Sequence, residues 1–118
     1  MKDKKKFKRE KALRRATRTR SKMFGIAGKP RVSVFRSLSH IYVQAIDDHK
    51  KVTLLAASDK EIKSKGNKTE IASLVGELMG QKLLDKKITS ILFDRGAYKY
   101  HGRVKALAEG MRKAGVIF

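Results

Sequence analysis

Residues 1–31 carry 14 Lys or Arg against only Asp3 and Glu10, a net charge of +12 in a 118-residue chain whose total is +19. The apolar side chains of this stretch are few, chiefly Phe7, Ala12, Leu13, Ala16, Met23 and Phe24. They cannot bury enough surface to offset the entropy lost on ordering. When free, the extension is therefore expected to be disordered or a fraying helix. Residues 4–20 contain neither Gly nor Pro, so a helix is available once phosphates neutralise the charge. Gly25, Gly28 and Pro30 then punctuate the chain. They divide it into a basic extension, residues 1–28, and a folded domain, residues 29–118.

Several function classes drop out at once. There is no Cys and no Trp, which excludes disulfide frameworks, zinc ribbons and thiol catalysis. The longest apolar run, Val52 to Ala57, is interrupted by Thr53 and is far short of the ~20 residues of a membrane span. The basic N-terminus has no apolar segment behind it, unlike a secretory signal. His40, His49 and His101 lack metal-ligand spacing. No cofactor, membrane or small-molecule substrate is expected. A soluble, intracellular domain of this charge points first to nucleic acid.

Beyond the extension, the pattern reads βββαβα. Val32–Arg36, His40–Ile46 and Lys51–Ala57 are strand-like, the first two strictly alternating. Residues 58–68 read as a loop. Asn67 and Glu70 resemble a capping box ahead of an amphipathic stripe at Ile71, Leu74, Val75, Leu78 and Met79. Gly76 and Gly80 interrupt that helix, and close approach to a neighbour would offset their cost of about 1 kcal/mol each. Thr89–Phe93 reads as a fourth strand. Val104, Leu107, Ala108 and Met111 mark a second helix stopped by Gly115. A right-handed crossover then places strand 4 parallel to strand 1. The fold expected is a two-layer α/β domain, with a mixed four-stranded sheet of order 3-2-1-4 and both helices on one face.

Strand parity separates the two faces. Val32, Val34, Ile41, Val43 and Ala45 belong under the helices. Ser33, Phe35, His40, Tyr42 and Gln44 are left on the open face, where rings and hydrogen-bonding groups suit exposed RNA bases or riboses. A half-wet sheet with one polar face is the plainer alternative. A second cluster runs from Asp94 to Arg103 between strand 4 and helix 2. Gly96 and Gly102 free its backbone. Arg95, Lys99, Arg103 and Lys105 supply cations, while Tyr98, Tyr100 and His101 supply rings. Buried tyrosines anchoring a connection are the alternative here.

At these residues the chain resembles a known family. The run Lys29 to Asp48 is similar to the first signature of the bacterial large-subunit ribosomal protein family L-eighteen. The run Phe93 to Ala108 is similar to its second. Ala97 stands where the family usually has Gly, and Ile117 where a charged residue is common. The resemblance implies a structural protein that binds 5S rRNA and helps attach it to 23S-type rRNA in the central protuberance, beside neighbouring 5S-associated ribosomal proteins. It also implies a ribonuclease H-like relative of the α/β fold, located in the cytoplasm as part of the ribosome. RNA contacts are expected from Arg14, Arg15, Arg18 and Arg20 of the extension, and from Arg31, Arg36, Ser37 and Lys68. The open-face residues Ser33, Phe35, His40, Tyr42 and Gln44 join them, with Arg95, Gly96, Tyr98, Tyr100, His101, Gly102 and Arg103 of the second cluster.

Two rivals stand beside this reading. A nuclease of related fold needs carboxylates converging on Mg²⁺, but strand 1 holds no acid, Asp47 and Asp48 read as a hairpin loop, Asp94 ends strand 4, and Glu70 and Glu77 lie on the first helix of the domain. A generic single-stranded nucleic-acid-binding module fits the same rings and cations.

Overall fold

The computed structural model describes residues 4–21 and 23–118. Residues 1–3 and 22 of the basic extension lie outside the described residues. Alternation of β-formers produces β1 (Arg31–Arg36), β2 (Ile41–Asp47) and β3 (Val52–Ser58), an antiparallel meander. The short β4 (Leu92–Asp94) lies parallel to β1, and the sheet order is β3-β2-β1-β4, as the sequence pattern implies. Two helices, α2 (Lys68–Asp85) and α3 (Arg103–Ala114), cover one face. Val32, Val34, Ile41, Val43 and Ala45 point into that core with at most 2% of their surface exposed. Parity therefore assigns the buried face correctly.

Local chemistry sets the helix ends. The Glu70 amide donates to Asn67 Oδ1 at 2.9 Å, and Asn67 Nδ2 donates to Glu70 Oε1 at 3.2 Å. This satisfies one of the four free amides at the start of α2. Gly115, with φ of 116°, terminates α3 in the left-handed region. The buried face of α2 is rotated from the expected stripe. Its buried residues are Ala72, Val75, Gly76, Met79, Gly80 and Leu83, while Ile71, Leu74 and Leu78 are only half-buried. The glycines are the reason. A Cβ on Gly76 would collide with the Leu107 carbonyl, and one on Gly110 with the Ser73 carbonyl. The two helices thus cross backbone against backbone, which offsets the cost of glycine inside them.

Residues 4–20 form the helix that their sequence leaves available, and two further segments differ from the sequence reading. Lys4–Arg20 forms a helix, α1, of 17 residues. Good helix formers carry it, and Ser21 Oγ and the Met23 amide close its end on the Arg18 and Arg20 carbonyls. Asp59–Glu61 is a 3-10 turn rather than open loop. Glu61 Oε2 accepts from the Ser58 amide at 2.8 Å and Oε1 from Lys82 Nζ at 2.6 Å. Lys82 also caps the Ala56 carbonyl on the outer strand, and a charged side chain there blunts an open sheet edge. Finally, β4 begins at Leu92 because the chain before it pairs with the C-terminus. The Ile91 amide donates to the Ile117 carbonyl and the Ile117 amide to the Thr89 carbonyl.

Gly25 is buried against the β2–β3 hairpin. Its amide donates to Asp48 Oδ2 and its carbonyl accepts from the Asp48 amide, both at 2.8 Å. The folded unit therefore draws in residues ahead of Gly28. A chain beginning at Ser21 should melt cooperatively and near the temperature of the full chain. A chain beginning at Gly28 loses both bonds and should be less stable by about 1–3 kcal/mol. Coincident thermal melts of the two shortened chains would return the boundary to residue 28.

Candidate nucleic-acid interface

On the open face, Phe35 pairs directly with Tyr42, and Ser33 with Gln44. The Phe35 and Tyr42 rings stack at 4.8 Å with 13° between planes. Tyr42 is 41% exposed; Phe35 and Gln44 are half-buried. Ser33 is buried on the central strand, paired with Gln44 of β2 and Asp94 of β4. Arg9, Ala12, Leu13, Ala16, Thr17 and Arg20 recur at helical spacing. With Ser33, Phe35, Gly96, Ala97 and Tyr98 they line a cleft of about 710 Å³. Lys8, Arg14, Arg15 and Arg18 stay exposed along α1.

Below α1, Arg31 joins separate parts of the chain. Its Nε and Nη2 donate to Asp48 Oδ2 and Oδ1 at 3.0 and 3.1 Å, and its Nη1 donates to Asp94 Oδ2 at 2.8 Å. Asp94 Oδ1 accepts from the Gly96 amide at 2.8 Å. Arg20 reaches Asp48 at 3.6 Å from α1. Hydrogen bonding to Asp48, and then to Asp94, holds the Arg31 guanidinium more firmly protonated than usual. The Asp48 carboxyl is in turn held below the usual carboxylate range, first by Arg31 and then by the Gly25 amide. Arg31, expected to meet RNA, is instead buried and committed within the protein. Asp48 and Asp94 likewise neutralise a cation, and Asp47 Oδ1 caps the hairpin amides of His49 and Lys50.

The second cluster forms the loop between β4 and α3. Gly96 and Gly102 take φ of 64° and 58°, a region costly for other residues. The Arg36 amide donates to the Tyr98 hydroxyl, which donates to the Arg36 carbonyl, each at 3.0 Å. The Arg36 guanidinium lies 4.9 Å from the Tyr98 ring centroid. Arg95 Nη1 donates to the Tyr98 carbonyl at 2.6 Å. Tyr100 meets Phe93 edge-on at 6.2 Å, and its hydroxyl accepts from Arg112. Both tyrosines thus hydrogen-bond within the protein, but Tyr98 is half-buried and Tyr100 exposed rather than buried as the alternative reading had it. Lys99 and His101 remain exposed. At the β1–β2 turn, Arg103 Nη1 donates to the Ser37 carbonyl at 2.9 Å and Lys68 Nζ to the Leu38 carbonyl at 2.5 Å. The Ser37 hydroxyl accepts from the His40 amide at 3.1 Å.

Among the expected residues, Arg20, Ser37 and Tyr100 are exposed, and Phe35, Gln44, Arg95, Gly96, Gly102 and Arg103 are half-buried. Arg14, Arg15, Arg18, Arg36, His40, Tyr42, Lys68 and His101 are exposed. Arg31, Ser33, Tyr98 and Tyr100 hold the surface in shape. The sequence reading missed Asp48 as the partner of Arg31 and Asp59 as the partner of His40, whose Nδ1 lies 2.9 Å from Asp59 Oδ2. The adjacent acids at Asp47 and Asp48 were visible, but their partners are distant in sequence.

Comparison with known proteins places the chain in a family. The family described as ribosomal L18 of archaea, bacteria, mitochondria and chloroplast matches residues 6–118. A relative named large ribosomal subunit protein uL18, from Clostridium perfringens (strain SM101 / Type A), is 51% identical over 117 residues, covering 98% of each chain. One of the same name from Thermotoga petrophila is 52% identical over 120 residues, again covering 98% of each. The Thermus thermophilus protein of that name is 59% identical over 91 residues, covering 77% of this chain and 81% of its own.

Two sets of variants test the architecture of this face. Phe35→Ala and Tyr42→Ala should weaken RNA binding by about 1–3 kcal/mol where a base stacks, with the smaller loss of stability at the more exposed Tyr42. Val34→Ala and Val43→Ala should instead cost on the order of 1–3 kcal/mol of folding stability and leave affinity of the folded fraction unchanged. Melts and titrations showing the reverse would invert the assignment of faces. Arg31→Ala leaves two inward carboxylates without their cation and should cost about 3–5 kcal/mol in denaturant unfolding. Because the Asp48 carboxyl binds protons less tightly folded than unfolded, its contribution is present above about pH 4 and is lost as pH falls below that value. Acid titration of Asp48→Asn should show a shallower loss of stability than the wild-type chain.

Proposed function

Because the chain belongs to the ribosomal L18 family, we propose that it binds 5S rRNA through its open sheet face, α1 and the β4–α3 loop, and helps attach that RNA to 23S-type rRNA in the central protuberance. The protein is a structural component of the large ribosomal subunit, not an enzyme, and it works in the cytoplasm among rRNA and other ribosomal proteins. The observation that carries the RNA reading is convergence. Residues of α1, the Phe35 ring and the loop at Gly96 to Tyr98 line one cleft, beside the stacked Phe35–Tyr42 pair. Exposed cations flank it at Arg14, Arg15, Arg18 and Arg36. Cations hold phosphates without regard to sequence, and flat side chains stack on unpaired bases. The paired acids remove carboxylates that would otherwise repel the RNA. Residues 1–20, by this reading, add affinity rather than fold.

Footprinting the full chain on naked 5S rRNA and on a scrambled RNA of equal length tests this directly. Protection confined to 5S rRNA is expected. Equal protection of both would leave a generic single-strand binder. The affinity should also fall steeply with salt, since each neutralised phosphate contributes about −0.7 to −0.9 to the slope of log K against log salt. A slope shallower than about −2 would sink the electrostatic account.

A further inference from the structure

A second cleft, of about 460 Å³, opens where β2 and β3 meet the 3-10 turn, lined by Tyr42, Ala56, His40 and Asp59 among others. We propose that it is a subsite for one unpaired RNA nucleotide, stacked on Tyr42 and hydrogen-bonded by His40, with Asp59 as the positioning residue that holds the His40 ring. This rests on the reading of the open face as the RNA-binding face and names a subsite within it. The cleft lies in the lower part of the volume range of small-ligand sites, about 300–1,000 Å³. Its floor at Ala56 is apolar and small. Phe35 occupies one face of the Tyr42 ring, so the opposite face, on the β3 side, is left to the cleft.

The polar edge of this cleft is built from both sides of the hairpin. His40 Nδ1 and Asp59 Oδ2 are 2.9 Å apart, with side chains 55% and 15% exposed. The carboxylate accepts the Nδ1 proton, which sets the tautomer and leaves Nε2 for a ligand. Among the described residues, Nε2 has no protein partner. Asp59 is otherwise out of place, an anion beside a surface that meets RNA. Its neighbours Lys60 and Glu61 also line the cleft, but Glu61 is tied to Lys82 and the Ser58 amide. Lys68 and Arg103 hold the adjacent turn carbonyls. The carboxylate at position 59 is thus the one aimed at His40.

Its two possible roles predict opposite signs. If Asp59 acts only as a charge near RNA, Asp59→Asn removes repulsion and tightens binding. If it positions His40, the same change weakens binding. Anisotropy titrations of the full chain with 5S rRNA, at constant salt and pH, separate them. Asp59→Asn is expected to weaken binding about threefold to tenfold, the worth of one hydrogen bond. In the His40→Gln background the same substitution should leave affinity unchanged or tighten it. Tightening by Asp59→Asn in the wild-type background, or an equal loss in both backgrounds, overturns the proposal. Binding of wild-type protein to 5S rRNA no better than to the scrambled RNA would instead overturn the function on which it rests.

Discussion

Arg31 is the residue on which the layout of this protein depends. One guanidinium binds Asp48 through two nitrogens and Asp94 through the third. Those carboxylates in turn hold the Gly25 and Gly96 amides. Five segments are fixed relative to one another: the entry to the domain, β1, the β2–β3 hairpin, the end of β4 and the start of the β4–α3 loop. A planar, always-charged fork with several fixed donors is suited to this task, and a lysine would not replace it. Two carboxylates and one guanidinium leave a net negative charge, which Arg20 offsets from α1 at 3.6 Å. The extension and the folded domain meet at this same point.

The division of labour between cations follows from that arrangement. Arg31, Arg103 and Lys68 shape the surface by bonding to carboxylates or turn carbonyls. The exposed arginines of α1 and Arg36 supply charge to solvent. A strongly basic protein must still prevent its own acids from opposing RNA. Here Asp48, Asp94, Asp59 and Glu61 each face a cationic or ionisable partner inside the protein. On a ribosomal protein of the L18 family, this leaves the stacked pair at Phe35 and Tyr42 in a field of net positive charge.

The sheet and its order were legible because alternation is a local signal. Val32, Val34, Ile41, Val43 and Ala45 declare the buried side by parity alone. The cap at Asn67 and the stop at Gly115 were legible for the same reason, since the groups that make them lie within a few residues. The orientation of α2 was not. Of its expected stripe of Ile71, Leu74, Val75, Leu78 and Met79, only Val75 and Met79 are fully buried. Close approach of α3 selects the face containing Gly76, and that approach depends on the Leu107 carbonyl about thirty residues away.

The same distinction governs the interface. Composition and charge by themselves determined a basic, cysteine-free chain suited to polyanions, and the runs Lys29 to Asp48 and Phe93 to Ala108 determined the family it resembles. The roles of individual polar side chains were decided by the tertiary structure. Arg31 reads as one more phosphate contact until the fold brings Asp94 to its Nη1 from 63 positions away. Tyr98 reads as a stacking ring until its hydroxyl meets both backbone groups of Arg36. Asp59 reads as loop until β3 places it on His40. A residue's type and its neighbours in sequence set what it can bond. Which donor meets which acceptor is settled only when long-range packing brings them within reach.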